Sequence, residues 1–494
     1  MSKIGAGGQL RKTATHSAIY AIGTIISRLT GLVMLPIYTR YLSPADYGVI
    51  ELLSMAIEIT GILVGLRISQ AMFRFYILEE DGDEKKKIVS TVLLTALAAS
   101  FSGASILYIA AEPLSALIFG SSEYQYEFQL FSFTLITNAV ISVGQAYMRA
   151  RQKPILYVLI GTITLVIQVV LNVIFVVMME MHVKGVIYSA LGSGAVVAIG
   201  YLLYIFSSVG FYFSGTIARR LISFIAPLIL ASLGAFYVAY ADKYFIRMFG
   251  SLTEVGLYAL AARVTAIIGM VYQSFNSSWS ADRFEIVKHK NAKIIFSQVF
   301  RFLSAALVIM GVGLALFAGD LFHIMTSQEY YSAANIVPFL VLASIARTYV
   351  LFCNFGIMLG ERTRHIAEAN WLKVVVSSVG YILLIPYLGV YGAAITLLVG
   401  SLVELYWVNK KAKQEYDMEL RWHAVGILFA AGFLCVLIGF LMPIGGLIWF
   451  WSRLVLFIFF IYLIYELPVW HDSDRELIKA SIKRVKALVV KGTY

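Results

Sequence analysis

The segment Tyr38-Thr-Arg40-Tyr-Leu-Ser-Pro-Ala-Asp46-Tyr-Gly48-Val-Ile follows the first apolar stretch, and a related segment, Tyr244-Phe-Ile-Arg247-Met-Phe-Gly-Ser-Leu-Thr-Glu254-Val-Gly256-Leu-Tyr, comes 208 residues later. Each contains a basic residue, a turn, an acidic residue, any residue, Gly and an apolar helix start. The acidic residue suits the positive end of the helix dipole, and the glycine allows another backbone to approach closely. The pair predicts an internal repeat, although helix hairpins in general favour such turn residues.

Fourteen apolar stretches are each long enough to cross a bilayer, which takes about 20 mostly apolar residues. With 60% hydrophobic and only 14% charged residues, the chain cannot be a soluble protein of 494 residues. We therefore predict an all-α integral membrane protein. The predicted transmembrane spans lie near residues 14–36, 49–70, 88–111, 128–148, 155–179, 185–207, 221–241, 253–276, 294–318, 332–356, 366–386, 389–409, 422–442 and 447–468.

The repeat divides these spans into lobes. Its two copies precede spans 2 and 8, so the halves have the same orientation and should be related by a pseudo-two-fold axis along the membrane normal, with a substrate site between them. The predicted divisions are an N-lobe of six spans, a C-lobe of six spans, spans 13 and 14, and a cytoplasmic amphipathic tail: residues 1–210, 211–412, 413–470 and 471–494.

The distribution of basic residues predicts the orientation. Of the 39 Lys and Arg, 28 flank the spans on the side of the N-terminus, 5 lie on the other side and 6 fall within spans. Cytoplasmic loops carry the excess of basic residues, so both termini should be cytoplasmic. The net charge of +11 then reflects topology and contact with anionic membrane lipids rather than nucleic-acid binding.

Several motifs resemble those of one transporter family. The stretch from Ser27-Arg28-Leu-Thr-Gly31 through Pro36 and Arg40 to Asp46-Tyr47-Gly48 resembles the first-hairpin signature of the polysaccharide-transporter (Wzx-type O-antigen flippase) branch of the multidrug/oligosaccharidyl-lipid/polysaccharide flippase superfamily. Further stretches that are similar to this branch are Phe73-Arg74-Phe75-Tyr76, Val255-Gly256-Leu-Tyr258-Ala-Leu-Ala and Ser278-Trp279-Ser280. The last lacks the Pro that usually follows the family's Trp.

The resemblance covers the whole chain and implies a function. It implies two six-helix lobes with two additional helices, and a flippase that moves undecaprenyl-pyrophosphate-linked oligosaccharides from the inner to the outer leaflet of a bacterial or archaeal cytoplasmic membrane. It implies no enzymatic activity, cofactor or metal. The expected partners are this lipid-linked glycan and membrane lipids, with a polysaccharide polymerase, a chain-length regulator and a coupling ion, H⁺ or Na⁺, as further candidates.

Two other functions would each require sequence features that differ from those of this chain. A cation-coupled small-molecule exporter of the same superfamily should have more acidic than basic residues deep in its spans, and here Arg equals or outnumbers Glu. A membrane-embedded polysaccharide polymerase or glycosyltransferase would need a large outer loop or a catalytic acidic motif, and the outer loops are short. The two cysteines, Cys353 and Cys435, lie in different spans and support neither a disulfide framework nor a metal cluster.

Arginines deep in the spans are the predicted pyrophosphate-binding residues. Arg28 and Arg263 each lie roughly 15 Å from a span end at 1.5 Å per residue, one in each lobe. Arg347 is a third candidate. Guanidinium stays charged and donates a bidentate fork to phosphate oxygens. The alternative is a structural ion pair, for which Glu58 in span 2 is the obvious partner of Arg28.

The remaining intramembrane polar residues have two open roles each. Arg67, Arg301 and Lys373 lie near cytoplasmic span ends, where they either extend to the membrane surface or, for Arg67 and Lys373 above all, capture substrate at the inner entrance. Glu58 and Glu404 are candidates for ion coupling or for charge pairs. The amides that could contact sugar hydroxyls, or else tie helices together, are Gln145, Asn172, Gln273 and Asn276.

The topology can be tested by cysteine labelling. Cysteine at Ser122 should react with an impermeant thiol reagent added to intact cells, whereas cysteine at Asp83 should react only after the membrane is opened. The reverse pattern would overturn the predicted orientation.

Overall fold

The computed structural model describes residues 34–65, 68–444, 446–470 and 474–476, and all the regular structure in these ranges is helical. Sixteen α-helices occur there, with 3₁₀ turns at Ser122–Tyr124 and Gln328–Ile336 and a π-helical turn at Val173–Met178. The helices are α1 Leu35–Tyr41, α2 Pro44–Leu63, α3 Ile68–Leu78, α4 Gly82–Ile109, α5 Ala111–Phe119, α6 Gln125–Ser132, α7 Thr134–Ala150, α8 Pro154–Asn172, α9 His182–Val209, α10 Gly215–Phe249, α11 Leu252–Ile286, α12 Ala292–Met325, α13 Val337–Leu359, α14 Arg364–Glu415, α15 Trp422–Phe440 and α16 Leu447–Glu466.

The described helices are those of a multi-pass membrane protein. Ten helical segments are long and apolar enough to cross a membrane, or up to twelve if each of two bent pairs is one span. The bent pairs are Pro44–Leu63 with Ile68–Leu78, at 43°, and Gly215–Leu230 with Ser232–Phe249, at 42°. The all-α membrane fold is therefore confirmed. The total of fourteen spans stays a prediction, and most of the predicted span 14–36 lies outside the described residues.

Helix α14 contains two of the predicted spans. Its 52 residues would extend about 78 Å at 1.5 Å per residue, far more than the hydrocarbon core of about 30 Å. Gly389 interrupts it with non-helical backbone, at φ 53° and ψ −132°. Gly380 faces Thr396, and Gly400 faces Ser377. The sequence midpoint of each pair falls at residues 388 to 389. The two halves therefore form an antiparallel hairpin that reverses at Gly389, between the predicted spans 366–386 and 389–409.

Packing divides the chain into two compact units. The first unit comprises residues 1–259, 325–330 and 385–390, and the second comprises residues 260–324, 331–384 and 391–494. In the first, Met72 of α3, Val92 of α4, Val143 of α7 and Ile205 of α9 share one buried core. In the second, α12, α15 and α16 meet around another apolar core. The lobe boundaries at 210 and 412, and the six-helix lobes themselves, stay predictions.

The two copies of the repeated segment touch each other inside the first unit. A Cβ on Gly48 would come within 3.0 Å of the carbonyl oxygen of Leu252, and a Cβ on Gly256 would come within 3.0 Å of that of Pro44. The offset of 208 residues that relates Gly48 to Gly256 also relates Pro44 to Leu252. Gly48 contacts Leu252, and the counterpart of Gly48 contacts the counterpart of Leu252. A reciprocal contact of this kind has two-fold character. This reciprocity is what a pseudo-two-fold axis generates.

Both copies begin their helices with the same cap. Ser43 and Asp46 form a capping box, with Ser43 N donating to Asp46 Oδ2 at 3.0 Å and Asp46 N donating to Ser43 Oγ at 3.1 Å. Ser251 and Glu254 make the equivalent pair at 2.9 and 3.2 Å. Since each box satisfies two backbone N–H groups at a helix start, the acidic residue of the motif fixes where α2 and α11 begin.

The carboxylate of the acidic residue in each copy also lies close to a residue with a positive φ angle. Asp46 Oδ2 lies 4.0 Å from Nδ1 of His182, whose φ is 46°. A Cβ on Gly389, whose φ is 53°, would lie 2.8 Å from Glu254 Oε1. His182 and Gly389 are 207 residues apart, so this second contact follows the repeat to within one residue.

Replacing either contact glycine should destabilise the protein. The Cβ of Gly48→Ala or Gly256→Ala would overlap a carbonyl oxygen and force two helix backbones apart, which should cost about 1–3 kcal/mol as overpacking does. Gly200→Ala and Gly426→Ala are matched controls, because a Cβ at either meets nothing within 4 Å. The apparent melting temperature in detergent should fall only for the first two. Equal melting of all four variants would show that the contact is not tight.

Candidate functional site

Two of the predicted site residues, Arg28 and Arg67, lie outside the described residues, and their roles stay predictions. The same holds for the proposed ion pair between Arg28 and Glu58. Glu58 itself is an exposed residue of α2. An exposed carboxylate in the middle of a span is costly unless it faces water, a cation or a polar cavity, so its position is compatible with either of its two predicted roles.

Arg263 lies in the middle of α11. It follows Leu252, the first residue of that helix, by eleven positions, which corresponds to about 16 Å along the axis. The neighbouring Val264 and Thr265 are buried, whereas Arg263 is half-buried. The guanidinium therefore belongs to a face of α11 that is only partly covered by protein.

Arg347 lies at a similar depth in α13. It is ten residues beyond Val337, about 15 Å along the helix. Its flanking residues Ala346 and Thr348 are buried, and Arg347 itself is exposed. Among the described residues no carboxylate lies within 4.0 Å of its guanidinium. Since a charged side chain at mid-membrane costs about 2.5–3.5 kcal/mol on insertion scales, an Arg held there without a carboxylate should face a polar space.

Lys373 and Glu404 form an ion pair across the α14 hairpin. Lys373 Nζ lies 3.0 Å from Glu404 Oε2, and the two side chains are 2% and 6% exposed. The expectation that Lys373 extends to the membrane surface is therefore wrong, because the hairpin register brings it against a carboxylate inside the protein. Its role at the inner entrance stays a prediction. Glu404 takes the charge-pair alternative in this structure, and its role in ion coupling is untested.

Arg301 is paired as well. Its Nη2 donates to Asp474 Oδ2 at 2.5 Å, and Gln298 donates to Oδ1 of the same aspartate at 2.6 Å. The side chains of Arg301 and Asp474 are 3% and 0% exposed. The expectation that Arg301 extends to the surface is wrong for this reason. Asp474 opens the tail of the chain, and the tail from residue 477 onward, with its predicted amphipathic helix, lies outside the described residues.

The sequence interpretation missed two charge clusters. Arg453 of α16 donates to Asp320 Oδ2 at 2.6 Å and to the carbonyls of Met442 and Pro443, and it is 2% exposed. The signal that could have revealed this cluster is that Arg453 and Asp320 have opposite charges and lie near the same predicted membrane surface. Arg453 is one of the five basic residues that the sequence predicts on the outer side of the spans, and its partner in α12 is 133 residues away.

The second missed cluster joins α2, α10 and α11. Lys243 Nζ lies 2.7 Å from Glu51 Oε2, and the hydroxyl of Tyr258 donates to Asp242 Oδ2 at 2.8 Å. Glu51 and Asp242 are buried. Two carboxylates and one ammonium therefore share this place, three residues along α2 from Gly48 and two residues along α11 from Gly256.

The predicted sugar-binding amides occupy different surroundings. Asn172 is fully buried, and its amide donates to Gln168 O at 2.8 Å and to Met34 Sδ at 3.3 Å, which is a helix-tying arrangement. Gln145 and Asn276 are half-buried and Gln273 is exposed. These last three keep their predicted role, since some of their surface is available to a ligand.

Two cavities inside the units are apolar. One of about 590 Å³ in the first unit lies between Met55, Leu107 and Phe236, and one of about 580 Å³ in the second lies between Val312, Phe339 and Phe433. Neither lining includes Arg263 or Arg347. These cavities suit hydrocarbon chains and not an anionic group.

Comparisons with known proteins give a consistent picture. Residues 37–335 match the model of a family described as polysaccharide biosynthesis protein. The chain is 21% identical over 397 residues to Lsg locus putative protein 1 of Haemophilus influenzae, covering 77% of this chain and 95% of that protein. It is 23% identical over 237 residues to the probable low-salt glycan biosynthesis flippase Agl15 of Haloferax volcanii, covering 46% and 49%.

Among solved structures, the chain is similar to the lipid II flippase MurJ in an inward closed conformation. The TM-score is 0.70 at 13% sequence identity, and the match covers 90% of this chain and 98% of the other. At this identity the likeness shows the fold alone. It agrees with the all-α membrane fold of the described helices.

Breaking the buried pair in α14 should destabilise the protein. Lys373→Met leaves Glu404 as an uncompensated buried charge, which should cost about 3–5 kcal/mol, whereas Lys373→Met with Glu404→Gln should recover most of that loss. Lys293→Met is the control, because its pair with Glu419 is exposed. Apparent melting temperatures in detergent report all three. A single variant as stable as wild type, or a double variant no better than the single, would contradict the pairing.

Proposed function

This chain belongs to the polysaccharide biosynthesis protein family, and from that premise we propose that it is a flippase for lipid-linked glycans. The family match covers more than half of the chain, and one relative is named as a glycan biosynthesis flippase. The multi-pass helical fold supports transport across a membrane rather than catalysis. In this proposal the chain is not an enzyme.

We propose undecaprenyl-pyrophosphate-linked oligosaccharide repeat units as the substrate, moved from the inner to the outer leaflet of the cytoplasmic membrane. The observation that carries this proposal is the exposed guanidinium of Arg347, held about 15 Å along a membrane helix without a carboxylate partner in the described part of the chain. A permanent cation in such a place is stabilised by an anionic ligand. A pyrophosphate between a lipid and a sugar is an anion that must cross at this depth.

Arg28, Arg263 and Arg347 are the proposed pyrophosphate ligands. A guanidinium presents five N–H donors in a planar fork that matches phosphate oxygens, and its charge does not vary with physiological pH. Gln145, Gln273 and Asn276 are proposed to contact sugar hydroxyls, because amides can both donate and accept hydrogen bonds. A polysaccharide polymerase and a chain-length regulator are the proposed protein partners, and H⁺ or Na⁺ the proposed coupling ions.

The substrate can be identified directly. In a strain that lacks this protein, the untransported lipid-linked sugar should accumulate, and mass spectrometry of the extracted lipids should show a polyprenyl-pyrophosphate oligosaccharide. Accumulation of a small soluble metabolite instead would favour a small-molecule exporter of the same superfamily.

Removing either described arginine should impair export without removing the protein. We expect Arg263→Ala and Arg347→Ala to lower surface glycan at least about tenfold, since a charged hydrogen bond contributes about 1.5–3 kcal/mol. Lys at either position should restore export only in part, because it lacks the fork. Immunoblotting measures abundance, and Arg364→Ala, at an exposed ion pair, is the control. Normal export by both Ala variants, or loss of the proteins themselves, would contradict the binding role.

A further inference from the structure

The motif Phe73-Arg74-Phe75-Tyr76 ends α3 in a reciprocal contact with α10. The guanidinium of Arg74 lies 4.8 Å from the ring centroid of Phe224, and that of Arg220 lies 4.7 Å from the ring centroid of Phe75. The two rings meet edge to face at 5.8 Å. Both arginines are exposed and both rings are half-buried. Each helix therefore holds the other's arginine on an aromatic ring.

The next residue of the motif continues the contact to α7 and α9. The Tyr76 ring lies 6.0 Å from that of Tyr147, which in turn lies 6.2 Å from that of Tyr204. Arg151 donates from Nη1 to the hydroxyls of both Tyr147 and Tyr204 at 3.4 Å. Lys85 Nζ lies 5.7 Å from the centre of the Tyr76 ring.

These residues form two ring clusters that adjoin at Phe75 and Tyr76 of α3, and we name the two together the basic-aromatic strip. It consists of one pair of rings, one run of three rings, and four cations placed over or beside them. All of its members belong to the first unit. They lie at the ends of α3, α7 and α9 and at the starts of α4 and α10, on the Lys/Arg-rich side that the sequence predicts to be cytoplasmic. The rings are Phe224, Phe75, Tyr76, Tyr147 and Tyr204, and the cations are Arg220, Arg74, Lys85 and Arg151.

The charge of the strip is not neutralised by the protein. Among the described residues no carboxylate lies within 4.0 Å of any of its four cations. Carboxylates are available nearby, because Lys86 pairs with Asp83 and Lys87 with Glu84, each at 2.7 Å. A cation over an aromatic ring is held in position by the ring quadrupole and keeps its full charge and its outward N–H donors. The strip thus presents fixed, uncompensated positive charge.

The geometry points to an anionic lipid head group as the ligand, and we propose that the strip is the uptake site for the pyrophosphate of the lipid-linked glycan at the inner leaflet. This inference rests on the proposed flippase function and adds to it the residues that first receive the substrate. A pyrophosphate carries two adjacent phosphates, which suits two guanidinium forks approaching from α3 and α10. A glycerophospholipid offers the same phosphate chemistry with a single phosphodiester.

The test measures lipid binding to the full-length protein in phosphatidylcholine nanodiscs. Undecaprenyl pyrophosphate and phosphatidylglycerol are titrated separately, and bound lipid is counted by native mass spectrometry. For Arg74→Gln with Arg220→Gln we expect binding of undecaprenyl pyrophosphate to weaken at least about tenfold, as the loss of charge-assisted hydrogen bonds predicts. Binding of phosphatidylglycerol should change much less.

The control variant is Arg149→Gln. Arg149 is also exposed and lies over a ring, 5.7 Å from the centroid of Tyr157, but it is outside the strip, so its loss should leave both titrations unchanged. Where the double variant is not recovered in folded form, Arg74→Lys with Arg220→Lys keeps the charges without the forks and should weaken pyrophosphate binding to a smaller extent.

Each other outcome has a definite meaning. Equal weakening for both lipids would make the strip a general anionic-lipid contact and overturn the inference. Unchanged binding in the strip variants, with tight wild-type binding, would also overturn it while leaving the flippase proposal intact. If wild type binds undecaprenyl pyrophosphate no better than phosphatidylglycerol, the proposed function itself fails.

Discussion

The contact between Gly48 and Gly256 is the constraint on which the rest of the first unit depends. Two helix starts can approach this closely only if neither carries a side chain at the crossing, and each glycine faces a backbone carbonyl of the other copy. The capping boxes at Ser43 and Ser251 fix the first turn of each helix. The N-terminal ends of α2 and α11 therefore determine where the two helices cross. This explains why both copies have the same spacing between the acidic residue and the glycine: the first caps the helix, and the second lies at the crossing.

Much of the fold could be predicted from the sequence because its signals are local. Apolar length identifies the spans, and the repeated turn residues locate equivalent helix starts. The partners of buried charges could not be predicted in the same way. Lys373 meets Glu404 because α14 reverses at Gly389 and not a few residues away, and a shift of one residue would rotate each side chain by about 100° around its helix.

For the candidate site, the sequence predicts which arginines lie far from the helix ends but not what surrounds them. Arg263 and Arg347 lie at the depths that counting along the helices gives, and their incomplete burial could not be read from the chain. The basic-aromatic strip was also hidden, because Arg74, Tyr147 and Arg220 come from distant segments. Its one local trace is the Phe73-Arg74-Phe75-Tyr76 motif, in which a basic residue alternates with rings.

Burial separates the charges that hold helices together from the exposed charges. A buried charge is costly without compensation, and each of the six buried carboxylates in the described residues contacts a cation or a hydrogen-bond donor. These carboxylates are Glu51, Glu127, Asp242, Asp320, Glu404 and Asp474. A cation at the interface needs no such partner, because water and lipid head groups solvate it, so the strip can remain uncompensated at little cost in stability. Arg347 belongs to neither group, because it lies ten residues into α13, is exposed, and has no carboxylate within 4.0 Å among the described residues. Its exposed position is what the proposed ligand role of Arg347 requires.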